Sequence, residues 1–258
     1  MMPLLRAAAS AGLIAIVGTV ASSTAKADDT VTVKQNITLN GESDEAQADM
    51  KTVVDAVVQI NEGKIQQSID GPLTDVVTRY EKRYAHSGDV VFSARGMTQG
   101  LMYLAEAAVK HSVKGKGSAI DVGPAWSMAY WGRGYGYSEM NRFPEAEVEL
   151  KKALALSPRD AQYASELAYV YQMEGRFAES LALYETVPGF LDLMDGWGDS
   201  EKTEFHCKSL RGQGYDLVEL KRLDEAEAAY KACLALMPNE PKSLGELNYI
   251  KELRAKGG

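Results

Sequence analysis

Tyrosine recurs at one register in the second half of the chain, at Tyr135, Tyr169 and Tyr215. A ring with a polar tip offers a large contact area and a hydroxyl that orients a ligand, so the pattern suits binding. The alternative is that the rings only pack between successive helices. Cys207 and Cys233 are the two cysteines of the chain. They form no Cys-x-x-Cys pair, which argues against redox catalysis, and an oxidising compartment would let them bridge. Two small buried thiols is the competing reading. His86, His111 and His206 have no metal-ligand spacing, so no metal is expected. His206 beside Cys207 has no oxyanion donor or third member in view. The glycines of Gly132-Arg-Gly134-Tyr-Gly136 follow no strand, and Lys114-Gly115-Lys116-Gly117-Ser118 lacks phosphate-loop spacing. No cofactor and no enzyme activity are expected.

The elements that must carry these residues are helical and repeat. One copy runs Tyr130, Arg133-Gly134, Tyr137, Ala146, Leu150, Ala153, Pro158. The next runs Ala164, Leu167-Ala168, Tyr171, Gly175, Phe177, Ser180, Tyr184, offset by 34 residues. A third, 46 residues on, runs Leu210, Gln213-Gly214, Leu217, Leu223, Ala226, Tyr230, Cys233, Pro238. Each copy predicts two antiparallel helices around a tight turn. Small residues let the helices cross closely: Gly134 against Ala146, Ala168 against Ser180, Gly214 against Ala226. The extra length of the second interval lies in Pro188–Glu204, where Pro188 predicts an early end to a helix. That insert mixes Phe190, Leu193 and Trp197 with Asp192, Asp195 and Glu204, as a partner hook or as packing. Pro241 opens a terminal helix with a stripe of Leu244, Leu247, Ile250 and Leu253, which reads as a solvating cap over 241–255.

The repeats resemble the tetratricopeptide family over roughly residues 125–255. The family pattern is an aromatic, a Leu-Gly pair and a Tyr, then Ala, an aromatic and Pro. Arg133 and Gln213 depart from it where Leu is usual. The resemblance implies an all-α fold, a right-handed α-solenoid of antiparallel helix pairs whose concave groove binds peptides or proteins. Helical spacing then places Met128, Trp131, Tyr135, Ser138 and Glu139 on the groove side of the first copy. Gln162, Ser165, Tyr169, Gln172 and Met173 follow in the second, and Lys208, Arg211, Tyr215, Val218 and Glu219 in the third. Peptide-clamping members often carry asparagine at the tyrosine register with Lys and Arg around it. Here tyrosine replaces it and only Lys208 and Arg211 are basic, so a carboxylate clamp is not expected.

The first 27 residues read as an export signal: Arg6, an apolar Ala7–Ala21, and Ala25-Lys26-Ala27 before Asp28-Asp29. The apolar run is broken by Ser10, Gly12, Gly18 and Thr19, short of the ~20 residues a spanning helix needs. A periplasmic or secreted chain without a membrane segment is the expectation. Losing those residues removes Arg6 and Lys26 and no acid, leaving a charge more negative than the −8 of the whole chain. Such a chain repels nucleic acid. Residues 28–42 suit an extended arm. Within 43–124, helices are expected from Ser43, from Pro72 and over Val90–His111, with a loop at 114–124. These helices are either degenerate repeats or a separate region, since Gly63-Lys64-Ile65 echoes Gly175-Arg176-Phe177. The leading expectation is a periplasmic scaffold that holds a protein or peptide segment. Behind it come a self-associating envelope module and, last, an enzyme with its site hidden in 43–124.

Overall fold

The computed structural model describes residues 44–112 and 118–256. The export signal and the arm expected at 1–42 lie outside the described residues. Helices α1 (Asp44–Asn61), α2 (Ile65–Ser68) and α3 (Thr74–Tyr84) come first, with a π-type segment at Ile69–Leu73 joining the last two. A strand, a helix and a strand follow: β1 (Val90–Phe92), α4 (Met97–Ser112) and β2 (Ala119–Asp121). The array is α5 (Ala125–Glu139), α6 (Phe143–Leu156), α7 (Ala161–Met173), α8 (Phe177–Phe190), α9 (Asp199–Glu219), α10 (Leu223–Leu236) and α11 (Pro241–Ala255). No described helix is long and apolar enough to cross a membrane.

One turn closes four successive helix pairs. Gly63, Asn141, Gly175 and Lys221 all have positive φ, between 57° and 86°. The N–H of the residue after each reaches back to the carbonyls of Gln59, Tyr137, Tyr171 and Leu217, at 2.8–2.9 Å. These bonds satisfy carbonyls that the end of the first helix would otherwise leave bare. α1 with α2–α3 is therefore a helix pair of the same construction as α5–α6, α7–α8 and α9–α10. The second helix of that first pair begins at Ile65 and not at Pro72. Pro72 sits inside the bend, where Gly71 leaves helical geometry, and Thr74 Oγ1 donates to the Ile69 carbonyl at 2.6 Å.

Close crossings use small residues, against larger partners than spacing predicts. A Cβ on Gly134 would lie 2.7 Å from Leu150 Cγ, and one on Gly214 would lie 2.6 Å from the Tyr230 ring. The core runs continuously from Val53, Ala56, Leu73 and Val77 through Trp126, Ala129 and Tyr130 to Leu150, Tyr163 and Leu167.

Residues 85–124 depart most from expectation. Val90–Phe92 is a strand and not the start of a helix. It pairs in parallel with Ala119–Asp121 across α4, in the segment expected as loop. This strand–helix–strand unit is fastened to the array by polar groups. Ser93 N donates to the Leu156 carbonyl (3.0 Å), Ser127 Oγ donates to the Ser93 carbonyl (2.8 Å), and Arg159 N donates to Tyr103 Oη (2.9 Å). Arg95 Nε lies 2.8 Å from Asp160 Oδ2, with Asp160 fully buried.

The segment 188–204 is mostly helical and not an inserted loop. α8 continues through Pro188 to Phe190, and α9 already begins at Asp199. A proline in a helix leaves the carbonyl four residues earlier without its donor. That carbonyl belongs to Tyr184, and Gln213 Nε2 supplies the missing bond at 3.2 Å. The glutamine that breaks the family pattern is thus what allows the proline. Leu191 and Met194 are buried with Phe190 packed on them, so these apolar residues of the segment are packing, while Trp197 is only half-buried and also faces an open recess.

Cys207 and Cys233 are joined by a disulfide between α9 and α10, with Cα atoms 4.5 Å apart. Closing a loop of 26 residues contributes roughly 3 kcal/mol by chain entropy. Reduction, or Cys207→Ser with Cys233→Ser, is expected to lower the thermal midpoint of the C-terminal pair by several degrees. Calorimetry with and without reductant checks this, and an unchanged midpoint would contradict it.

Candidate functional site

The register of each helix pair can be counted back from its turn. Six residues before the positive-φ position stand Val57, Tyr135, Tyr169 and Tyr215. The terminal helix continues the series. Asp160 caps α7 by accepting from Gln162 N and Tyr163 N, and Glu240 caps α11 by accepting from Lys242 N and Ser243 N. Counted from those matching caps, Tyr169 and Tyr249 are each the ninth residue of their helix. Tyr249 was missed by the sequence reading, although the cap spacing carries the signal.

The tyrosines become more open along the array. Tyr135 is half-buried, stacked on Trp131 with ring centroids 5.7 Å apart, and donates to Asn61 Oδ1 at 2.9 Å. Tyr169, Tyr215 and Tyr249 are 39%, 45% and 47% exposed, and Met173 is 48% exposed. Glu139 and Glu219 are exposed at the same edge. These side chains form an open face across α7, α9 and α11.

Five of the expected groove residues are otherwise engaged. Met128 and Trp131 are buried in the core that α5 shares with α1, α3, α6 and α7, and the Trp131 ring lies against Tyr163 of α7 as well as Tyr135. Gln172 is an inter-repeat strut, its Nε2 donating to the Gly212 carbonyl (3.1 Å) and to Asp216 Oδ1 (3.0 Å). Lys208 is held by Glu166 at 3.2 Å, and Arg211 faces Glu240 at 3.5 Å. Ser138, Ser165 and Val218 are buried as well. Uncovered at the tyrosine edge are Tyr169, Met173, Tyr215, Glu139, Glu219 and the added Tyr249.

Lys208, Arg211 and Tyr215 follow one another along one face of α9. At the far end of that face, opposite the tyrosine edge, opens a cavity of about 770 Å³. Its walls include Gln162, Trp197, Glu201, Phe205, Lys208 and Arg211. The Trp197 and Phe205 rings meet there with centroids 4.9 Å apart. Such a recess, with aromatic and apolar walls on one part and charged and polar groups on the rest, takes a side chain in a defined orientation. Glu240 lies within 4.8 Å of both cysteine sulfurs, but sulfurs bonded to each other are not thiolate ligands.

Asp216 is fully buried beneath the face, beside Ser180 and Gln172, with no cation against it among the described residues. Burial pushes its carboxyl up to about 6, partly offset by Ser180 and Gln172. An acid whose folded pKa is raised binds more protons folded than unfolded. Its contribution is therefore favourable at low pH and lost as pH rises from about 4 through 6. Asp216→Asn is expected to stabilise the protein at neutral pH by about 2 kcal/mol, a gain that vanishes near pH 4. Urea titrations of both proteins at the two pH values check the sign, and a variant less stable at neutral pH would contradict it.

No family model matches the sequence, and no curated protein does either. Solved structures do. MamA AMB-1 is 16% identical over 81% of this chain and 84% of its own, with a TM-score of 0.48. The first TPR of Spaghetti (RPAP3), bound to the HSP90 peptide SRMEEVD, is 19% identical over 50% of this chain and 93% of its own, with a TM-score of 0.43. The Yersinia enterocolitica secretion chaperone SycD, in complex with a peptide of the translocator YopD, is 15% identical over 48% and 92%, at 0.40. The repeated turn, the close crossings and the consecutive helix pairs, on this chain's own geometry, give it a tetratricopeptide-like all-α solenoid fold.

Proposed function

We propose that the chain is an exported scaffold that holds a segment of another protein on the tyrosine face of α7, α9 and α11. The observation that carries this reading is the uncovered row Tyr169, Tyr215 and Tyr249 with Met173 beside it. Aromatic side chains left open at one register of a rigid array give contact area at low entropic cost. Export is supported by the signal-like N-terminus and by a buried cystine, which an oxidising compartment maintains. No catalytic role is assigned to any residue.

A photoreactive residue placed at 169 in living cells tests the reading. A discrete adduct with another protein, absent when the same residue replaces Leu236 on α10, supports it. Equal labelling from both positions would overturn it. Fractionation and N-terminal sequencing test export, the expected mature chain beginning at Asp28.

A second reading, self-association, has its own observation. Met97 and Leu101, one turn apart on α4, are 63% and 42% exposed. If that helix joins two copies, the mass in solution by light scattering will exceed a monomer's, and Leu101→Lys will return it to one.

A further inference from the structure

The tyrosine face has an unbalanced charge pattern, and the imbalance specifies the partner's chemistry. Two cations along it, Lys208 and Arg211, are already paired among the described residues, Lys208 with Glu166 and Arg211 with Glu240. Its acids at the tyrosine edge are not. Glu139 and Glu219 on α5 and α9, and Glu246 on α11, have no cationic partner among the described residues. Glu246 is partly withdrawn from solvent, and that burial raises its carboxyl above the usual range. An unpaired carboxylate that has lost hydration is stabilised when a cation arrives.

Tyr135 and Tyr215 sit in the same field. Burial first, then the charges of Glu139 and Glu166, push the Tyr135 phenol up. Tyr215 is raised by burial and then by Glu219, Asp216 and Glu246. Negative charge therefore lies beside both rings, from Glu139 and Glu166 at Tyr135 and from Glu219 and Glu246 at Tyr215. Acidic segments are repelled from this face, whereas lysine or arginine side chains would lie over the tyrosine rings as well as beside the glutamates. A second copy of this acidic chain is disfavoured for the same reason.

The cavity at the far end of the face supplies the other half of the specification. Trp197 and Phe205 meet there beside Met237 and Pro238, which suits an apolar side chain.

We infer that the segment bound by this face is cationic: it sets lysine or arginine against Glu219 and Glu246 and places an apolar residue in the Trp197–Phe205 cavity. This rests on the binding role proposed above and adds the chemistry of the partner.

Selection from a random dodecapeptide phage library on the full chain tests it, followed by affinities of the selected peptides at low and high salt. Lysine and arginine should be enriched over the unselected library. Affinity should fall about tenfold or more from low to high salt, and by about tenfold in Glu219→Gln with Glu246→Gln. Circular dichroism of that variant should be unchanged. Acidic or uncharged peptides that depend on Tyr169 and Tyr215 would overturn the charge inference and leave the groove standing. Peptides indifferent to those tyrosines, or no enrichment at all, would overturn both. A dimer of the unliganded protein that Tyr215→Ala dissociates would put a second copy on the face and also overturn the inference.

Discussion

Tyr169→Ala combined with Tyr215→Ala is expected to abolish capture of the partner while the protein stays folded. Both rings project from first helices of successive repeats and are about two-fifths exposed. Tyr215 has one ring neighbour, an edge contact with Phe177 at 6.1 Å. Their removal therefore opens no cavity in the core, and circular dichroism and the thermal midpoint should move little. On the bound side, aromatic anchors at the centre of an interface commonly cost about 2 kcal/mol or more each when truncated. Two such losses, if roughly additive, weaken binding by about a thousandfold. Trp131→Phe is the informative control. It alters a buried ring of the core, so it should change stability more than affinity. Titration calorimetry of the captured partner against the three proteins checks both statements.

Arg95→Ala is expected to have the largest effect on stability. The guanidinium is nearly buried, forks onto Asp160 through Nε and Nη2, and reaches Gln162 Oε1 at 2.9 Å. It also lies over the rings of Tyr163 and Trp197, at 5.3 and 5.9 Å from their centroids. Asp160 is fully buried and simultaneously caps α7. Removing the arginine leaves a buried carboxylate with only two backbone donors, a change that costs about 3–5 kcal/mol. The same residue ties the strand–helix–strand unit to the array. Hydrogen exchange should therefore show α4, β1 and β2 losing protection first. Arg95→Lys should recover only part of the loss, since an ammonium cannot fork onto the carboxylate. A variant as stable as wild type in urea would contradict this account of how the unit is docked.

The array was legible in the sequence because its evidence is local. Gly134, Ala168 and Gly214 recur at the crossing, and the aromatic and small residues keep helical period around them. Features held by distant partners were not legible. Val90-Val91-Phe92 is too short for its period to tell strand from helix, and its partner strand lies beyond α4. Pro188 reads as a helix end unless the amide of Gln213 is already known to replace the lost bond. Trp131 and Met128 lie at groove positions of their helix, yet both are buried in the core that α5 shares with its neighbouring helices. Helical spacing names the face of a helix and not what covers it. Tyr249 was the reverse case, readable once Asp160 and Glu240 are recognised as equivalent caps.

The measurement that bears most directly on the central claim is hydrogen exchange by mass spectrometry, comparing the free protein with its complex with the captured partner. Binding on the tyrosine face predicts added protection in α7, α9 and α11, around Tyr169, Tyr215 and Tyr249, with α6, α10 and α4 unchanged. Protection concentrated on α4, or on the second helices of the pairs, would contradict it and move the binding surface elsewhere on the array.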